Sequence, residues 1–78
     1  MKEFIIGRSP DADIRIETDP YVSPRHARAW QDEYGSVWVE DLGSTNGTRV
    51  NGARVITRTR IYPGDVVSVG RTDLPWRP

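Results

Sequence analysis

Short β-branched and aromatic runs, each halted within a few residues by glycine, proline or asparagine, restrict what this chain can fold into more than any other feature. Phe4-Ile5-Ile6 stops at Gly7 and reads as a buried strand. Asp13-Ile14-Arg15-Ile16-Glu17 alternates with period two, which predicts a half-buried strand with Ile14 and Ile16 inward until Thr18-Asp19-Pro20 breaks it. Val37-Trp38-Val39-Glu40 predicts a strand with the valines on one face and Trp38 on the other. Thr48-Arg49-Val50 runs into Asn51-Gly52, with Arg54-Val55-Ile56 as its hairpin mate. Pro63-Gly64-Asp65 is a turn, and Val66-Val67-Ser68-Val69 is a strand ended by Gly70. A last strand around Leu74 and Trp76 is restricted by Pro75 to a sheet edge or to coil. Such a series predicts an all-β sandwich.

One segment resists that pattern. Ser23 is a good helix N-cap, Pro24 a good first helical residue and Gly35 a good stop. The residues between them are mostly acceptable helix formers. The rival is a strand with Ala27 and Ala29 inward, followed by a turn near Asp32 to Gly35. Local chemistry favours the helix and leaves both open.

The polar stretch Asp41-Leu42-Gly43-Ser44-Thr45-Asn46-Gly47-Thr48 lies between strand-like segments. Asn-Gly is a strong hairpin signal, so Asn46-Gly47 and Asn51-Gly52 each read as a tight turn. Ser44, Thr45 and Asn46 also offer hydroxyl and amide donors at a loop tip, a common place for binding groups. Gly7-Arg8 and Ser23-Pro24-Arg25-His26 are placed to converge on it.

Composition removes several functions. With 78 residues the chain makes one small domain, residues 1–78. Its 11 basic and 11 acidic residues balance, which gives no electrostatic case for nucleic acid or a membrane surface. Without cysteine there is no disulfide or cysteine–zinc site, and the chain suits a reducing, cytoplasmic setting. No apolar run approaches the roughly 20 residues of a membrane span, and the start is not a signal peptide. One histidine, no nucleophile elbow and no phosphate loop argue against an enzyme, and nothing calls for a cofactor or metal.

Four pieces occur in order: Phe4-Ile-Ile-Gly-Arg8; Val22-Ser23-x-Arg25-His26-Ala27; Glu40 through Thr48 and on to Val50-Asn51-Gly52; and Gly64-Asp65-Val66-x-x-Val69-Gly70. Together they resemble a forkhead-associated domain, a phosphothreonine-recognition module, over residues 4–70. The resemblance implies a β-sandwich of about 9–11 short, mostly antiparallel strands with peptide-binding loops at one end. It prefers a strand at 26–31 over the helix. It implies that Arg8, Ser23, Arg25, Thr45 and Asn46 bind phosphothreonine and peptide. Gly7, His26, Ser44, Gly47 and Asn51 would support them. Taken singly, Arg8 and Arg25 read as solvated arginines, Ser23 as a helix cap, and Thr45 and Asn46 as turn residues.

The chemistry matches the residue types. A phosphothreonine carries about −1.5 to −2 charges and three acceptor oxygens. Guanidinium groups grip such an oxyanion through paired N–H donors. The implied partner is a phosphothreonine-containing protein, a substrate of Ser/Thr kinases. The alternative is a phosphate-independent assembly domain of the same fold, with Trp30, Trp38 and Trp76 as contact surface. Two positions depart from the family pattern: Pro24, where many members carry arginine or asparagine, and Tyr21, where some place a further phosphate-binding arginine. A typical member also has a strand before Phe4 and a clear one after Gly70. Their loss here would leave an open sheet edge, a route to self-association.

Overall fold

A computed structural model describes residues 2–76; Met1, Arg77 and Pro78, the outer limits of the expected 1–78 unit, lie outside the described residues. Nine strands are present among them: β1 (Lys2–Gly7), β2 (Ile14–Arg15), β3 (Ala27–Gln31), β4 (Val37–Asp41), β5 (Thr48–Val50), β6 (Ala53–Arg54), β7 (Thr59–Ile61), β8 (Val66–Val69) and β9 (Thr72–Pro75). They form a five-stranded sheet in the order β2-β1-β3-β4-β7 and a four-stranded sheet in the order β6-β5-β8-β9. All pairings are antiparallel except β1 with β2. The fold is the expected β-sandwich.

The two inner faces supply the core by alternation. Ile6, Ala27, Ala29, Val39 and Ile61 come from the first sheet, and Val50, Val67 and Val69 from the second. Val22 and Val55 close it from the connections. Strand β3 takes the place of the locally attractive helix. Period two puts Ala27 and Ala29 inside and Arg28 outside, and β3 pairs with β1 and β4 along its whole length. A helix there would leave the middle of the sheet unfilled. The sheet overrides the capping chemistry of Ser23 and Gly35.

Several expectations need correction. Ile14 stands in register with the inward-facing Ile6, but it remains 38% exposed, because β2 shrinks to two residues at the edge of its sheet. Ile16 does pack against the core. The mate of β5 is Ala53–Arg54 and not Arg54-Val55-Ile56; Val55 still donates its N–H to the Thr48 carbonyl at 2.8 Å and buries its side chain in the core, while Ile56 is exposed. Strand β7 was not expected, since arginines alternate with its threonine and isoleucine and mask the apolar signal. The tail does form a strand, with Pro75 on the edge strand β9 facing Val66.

The two Asn-Gly pairs behave differently. Asn51 and Gly52 have φ of 50° and 84°, the geometry of a tight hairpin between Val50 and Ala53. At Asn46-Gly47 only the glycine has positive φ, at 82°. That stretch is no hairpin. It carries the chain from β4 in one sheet to β5 in the other.

Candidate functional site

Two loops meet at one end of the sandwich: residues 19–26, leading into β3, and residues 42–47, between β4 and β5. The first is docked onto the end of β1. The Arg8 N–H donates to the Ser23 carbonyl at 3.0 Å and the Ser9 N–H to the Pro24 carbonyl at 3.1 Å. Gly7 is required there by space, because a Cβ at that position would overlap the Pro24 carbonyl.

The second loop is shaped by Asp41. Its carboxylate accepts from the Ser44 hydroxyl at 2.5 Å, the Ser44 N–H at 2.9 Å and the Thr48 hydroxyl at 2.7 Å. Burial pushes its pKa up, but these donors outweigh burial and hold the carboxyl below its ordinary value. The Ser44 hydroxyl in turn accepts from the Gly47 N–H at 2.9 Å. Ser44 thus has both its hydroxyl and its N–H engaged within its own loop.

His26 joins the loops and is fully buried. Its Nδ1 accepts from the Ser23 N–H at 3.0 Å and its Nε2 lies 2.8 Å from the Gly47 carbonyl. An amide can only donate and a carbonyl only accept, so the ring is the neutral Nε2–H tautomer when both bonds form. This role is structural. Two further bonds cross between the loops. The Thr45 N–H donates to the Ser23 hydroxyl at 3.2 Å, and the Asn46 side-chain amide to the Tyr21 carbonyl at 2.8 Å.

These contacts form a cleft of about 170 Å³ lined by Arg8, Pro20, Tyr21, Val22, Ser23, Pro24, Thr45 and Asn46. Arg8 is exposed and its Nε donates to the Val22 carbonyl at 2.9 Å, which aims the guanidinium while leaving its terminal nitrogens available. Ser23 accepts from Thr45 and so keeps its own O–H free to donate. Thr45 has spent its N–H on Ser23, so its hydroxyl is the free donor. Asn46 keeps its carbonyl oxygen and one amide hydrogen. No carboxylate is ion-paired with Arg8 among the described residues.

Four of the five expected binding residues therefore line one cleft. Arg25 does not: it is exposed beside His26 and outside the lining. Asn51 stands away from the cleft and braces the β5–β6 hairpin against the turn before β8. Its Nδ2 donates to Asp65 at 2.9 Å and its Oδ1 accepts from the Val66 N–H at 2.9 Å. No group of three or more metal-ligating side chains occurs among the described residues.

The model of the FHA domain family matches residues 4–70. This chain belongs to the FHA family. It is 47% identical over 75 residues to the FHA domain-containing protein FhaB of Mycobacterium tuberculosis, covering 95% of this chain and 46% of that one. The chain thus spans about half the length of that relative. A solved FHA domain described for phosphothreonine-dependent interactions superposes with a TM-score of 0.85 at 37% identity, over 97% of this chain and 78% of the other. The N-terminal FHA domain of Saccharomyces cerevisiae Rad53p, solved with a phosphothreonine peptide, gives a TM-score of 0.81 at 31% identity, over 88% and 56% of the two chains.

One residue that braces the first loop escaped the sequence reading. Asp19, a strand breaker in sequence, is buried and ties the first loop to the β8–β9 turn. It accepts from the Tyr21 N–H at 2.9 Å, the Arg71 N–H at 2.8 Å and the Thr72 hydroxyl at 2.7 Å. Its pKa is lowered, the Thr72 hydroxyl foremost among the causes. The local signal was an Asp followed two residues later by its own N–H donor, an Asx turn. The bonds to Arg71 and Thr72 span more than 50 residues and have no local trace.

Proposed function

We propose that this FHA domain is a non-catalytic reader of phosphothreonine on partner proteins that are substrates of Ser/Thr kinases. One observation carries the reading: Arg8, Ser23, Thr45 and Asn46, on three separate segments, line one cleft with an arginine that no carboxylate among the described residues pairs with. The Arg8 guanidinium and the Ser23 and Thr45 hydroxyls would bind phosphate oxygens, and Asn46 the peptide main chain. Pro20, Val22 and Pro24 give the cleft apolar surface for the threonine methyl. A methyl group contributes only about 1 kcal/mol, so discrimination against phosphoserine needs the close fit that the loop bonds maintain. Rad53p's domain, solved with a phosphothreonine peptide, supports the same chemistry here.

The test is an array of matched phosphothreonine, phosphoserine and threonine peptides, read against this chain and its Arg8→Ala variant. Micromolar binding, about −8 kcal/mol, confined to the phosphothreonine set and weakened in the variant is expected. Equal retention of phosphorylated and unphosphorylated peptides would instead favour phosphate-independent assembly. That second role has less support, because Trp30 is buried beneath the Arg28 guanidinium at 4.3 Å and Trp38 is bonded to Asp32 at 2.9 Å. A cytoplasmic location accords with this reading. No helix among the described residues is long and apolar enough to cross a membrane.

A further inference from the structure

The chain has two asparagines, Asn46 and Asn51, and glycine follows each of them. Such a pair is chemically labile. The backbone nitrogen after an asparagine can attack the side-chain amide carbon, and glycine, with no Cβ, hinders that approach least. The tertiary structure treats the two pairs differently.

At Asn51 both ends of the amide are held. Nδ2 donates to Asp65 and Oδ1 accepts from the Val66 N–H, each at 2.9 Å. The amide carbon must leave both partners before it meets Gly52. At Asn46 the side chain is exposed, and its bond is the one from Nδ2 to the Tyr21 carbonyl at 2.8 Å. Here the attacking nitrogen is restrained instead. The Gly47 N–H donates to the Ser44 hydroxyl at 2.9 Å, and Ser44 is itself fixed by donating to Asp41. One hydroxyl thus stands between Asn46 and its own cyclisation.

We propose that Asn46 is a site of spontaneous deamidation guarded by Ser44, and that its conversion to a carboxylate ends phosphopeptide binding. The second half rests on the phosphothreonine reading of the cleft. In the first step the Gly47 backbone nitrogen bonds to Asn46 Cγ and gives up its proton. The Cγ–Nδ2 bond breaks, and the side-chain nitrogen takes up protons and leaves as ammonia. Water then opens the cyclic imide at one of its two carbonyls. One opening gives aspartate; the other gives isoaspartate, whose backbone runs through the former side chain. Water is the only other reactant.

Each product disturbs the site in its own way. Aspartate puts an oxygen where Nδ2 now donates, 2.8 Å from the Tyr21 carbonyl, so a bond between the loops becomes a repulsion. It also brings negative charge into the cleft that Arg8 lines, against an incoming phosphate. Isoaspartate lengthens the backbone beside Gly47, whose carbonyl is the partner of His26.

The test ages the folded wild-type chain and its Ser44→Ala variant in mildly alkaline buffer made with oxygen-18 water. Trypsin then separates the two asparagines, because Arg49 lies between them. Mass spectrometry reads the change from amide to labelled acid in each fragment. Asn46 is expected to convert faster than Asn51 in the wild-type chain. Ser44→Ala should accelerate Asn46 several-fold and leave Asn51 at its wild-type rate. Conversion at Asn46 no faster than at Asn51 overturns the proposal. So does acceleration of both residues in Ser44→Ala, which would mean a loosened fold and not a lost guard.

Binding is read with an alanine-flanked phosphothreonine peptide. The purified aged fraction and a fresh Asn46→Asp variant are expected to bind about tenfold weaker than the fresh wild-type chain. Asn46→Asp should also bind more weakly than Asn46→Ala, which loses the amide without gaining a charge. Full binding by the aged fraction overturns the functional half. Absence of binding by the fresh wild-type chain would remove the phosphothreonine reading and that half with it, while the mass readout still decides the chemistry.

Discussion

The His26 ring reaches 21 residues along the chain to bond the Gly47 carbonyl at 2.8 Å, while its other nitrogen holds the Ser23 N–H. One buried side chain thus sets the spacing of the two loops that form the cleft. His26→Ala would leave a cavity and two buried polar groups without partners. We expect a loss of about 2–4 kcal/mol of stability, a large share of the total for a domain of this size. Urea unfolding measures it, and a midpoint unchanged from wild type would refute the bracing role. Peptide binding should weaken in parallel even where the variant is still folded.

Arg8 and Arg25 are expected to behave differently. Arg8 lines the cleft and Arg25 does not. Arg8→Ala should weaken a phosphothreonine peptide by about 2–3 kcal/mol, the worth of charge-assisted bonds to phosphate, with the thermal midpoint nearly unchanged. Arg25→Ala should change binding by no more than about 0.5 kcal/mol, the level of an exposed charge. Calorimetric titration of both variants gives the comparison, and a larger loss for Arg25 than for Arg8 would reverse the site assignment.

Gly7→Ala tests the docking of the first loop. The new methyl must displace the Pro24 carbonyl, a backbone atom with no free rotation to escape by. We expect a loss of about 1–3 kcal/mol and displaced amide resonances for residues 23–25. Wild-type stability and spectra would mean that the loop does not rest on β1.

Acid should loosen the site. Asp19, Asp32, Asp41 and Asp65 all have carboxyl groups held below the ordinary value of 3.8 by hydrogen-bond donors. The unfolded chain therefore takes up protons first as pH falls. The stabilisation from these groups is fully present above about pH 5 and is lost as pH drops through about 4 and below. The denaturation midpoint should be insensitive to these groups between pH 5 and 7 and should decline steeply in acid. Asp41→Asn should lower the pH 7 midpoint and flatten the acid decline. An unaltered acid limb would count against the role of Asp41 in shaping its loop.

Strand by strand, the local pattern predicted β1, β4, β5, β8 and the hairpin at Asn51-Gly52, because alternation and turn chemistry are properties of neighbouring residues. It could not show how far edge position leaves the inward-facing Ile14 exposed, and it missed Thr59–Ile61, where outward arginines hide the strand. The choice between helix and strand at 23–35 was open locally; the resemblance favoured the strand, and the fold accounts for it through pairing with β1 and β4. Motif order likewise pointed to Arg8, Ser23, Thr45 and Asn46. That order could not separate Arg25 from them, since the direction of an exposed side chain depends on how its loop is docked.

By itself, then, the sequence determined the β-sandwich class, the family and the residue types available to grip an oxyanion. Only the tertiary structure decided which donors are free and which are spent: the Thr45 N–H on Ser23, the Arg8 Nε on Val22, one Asn46 amide hydrogen on Tyr21. It also set Arg49 beside Arg71 and Asp19 beside Thr72. The reason is range. Periodicity and turn propensity act over a few bonds, whereas a site made where two sheets end depends on contacts between residues 22 to 53 positions apart, which exist only once the sheets have packed.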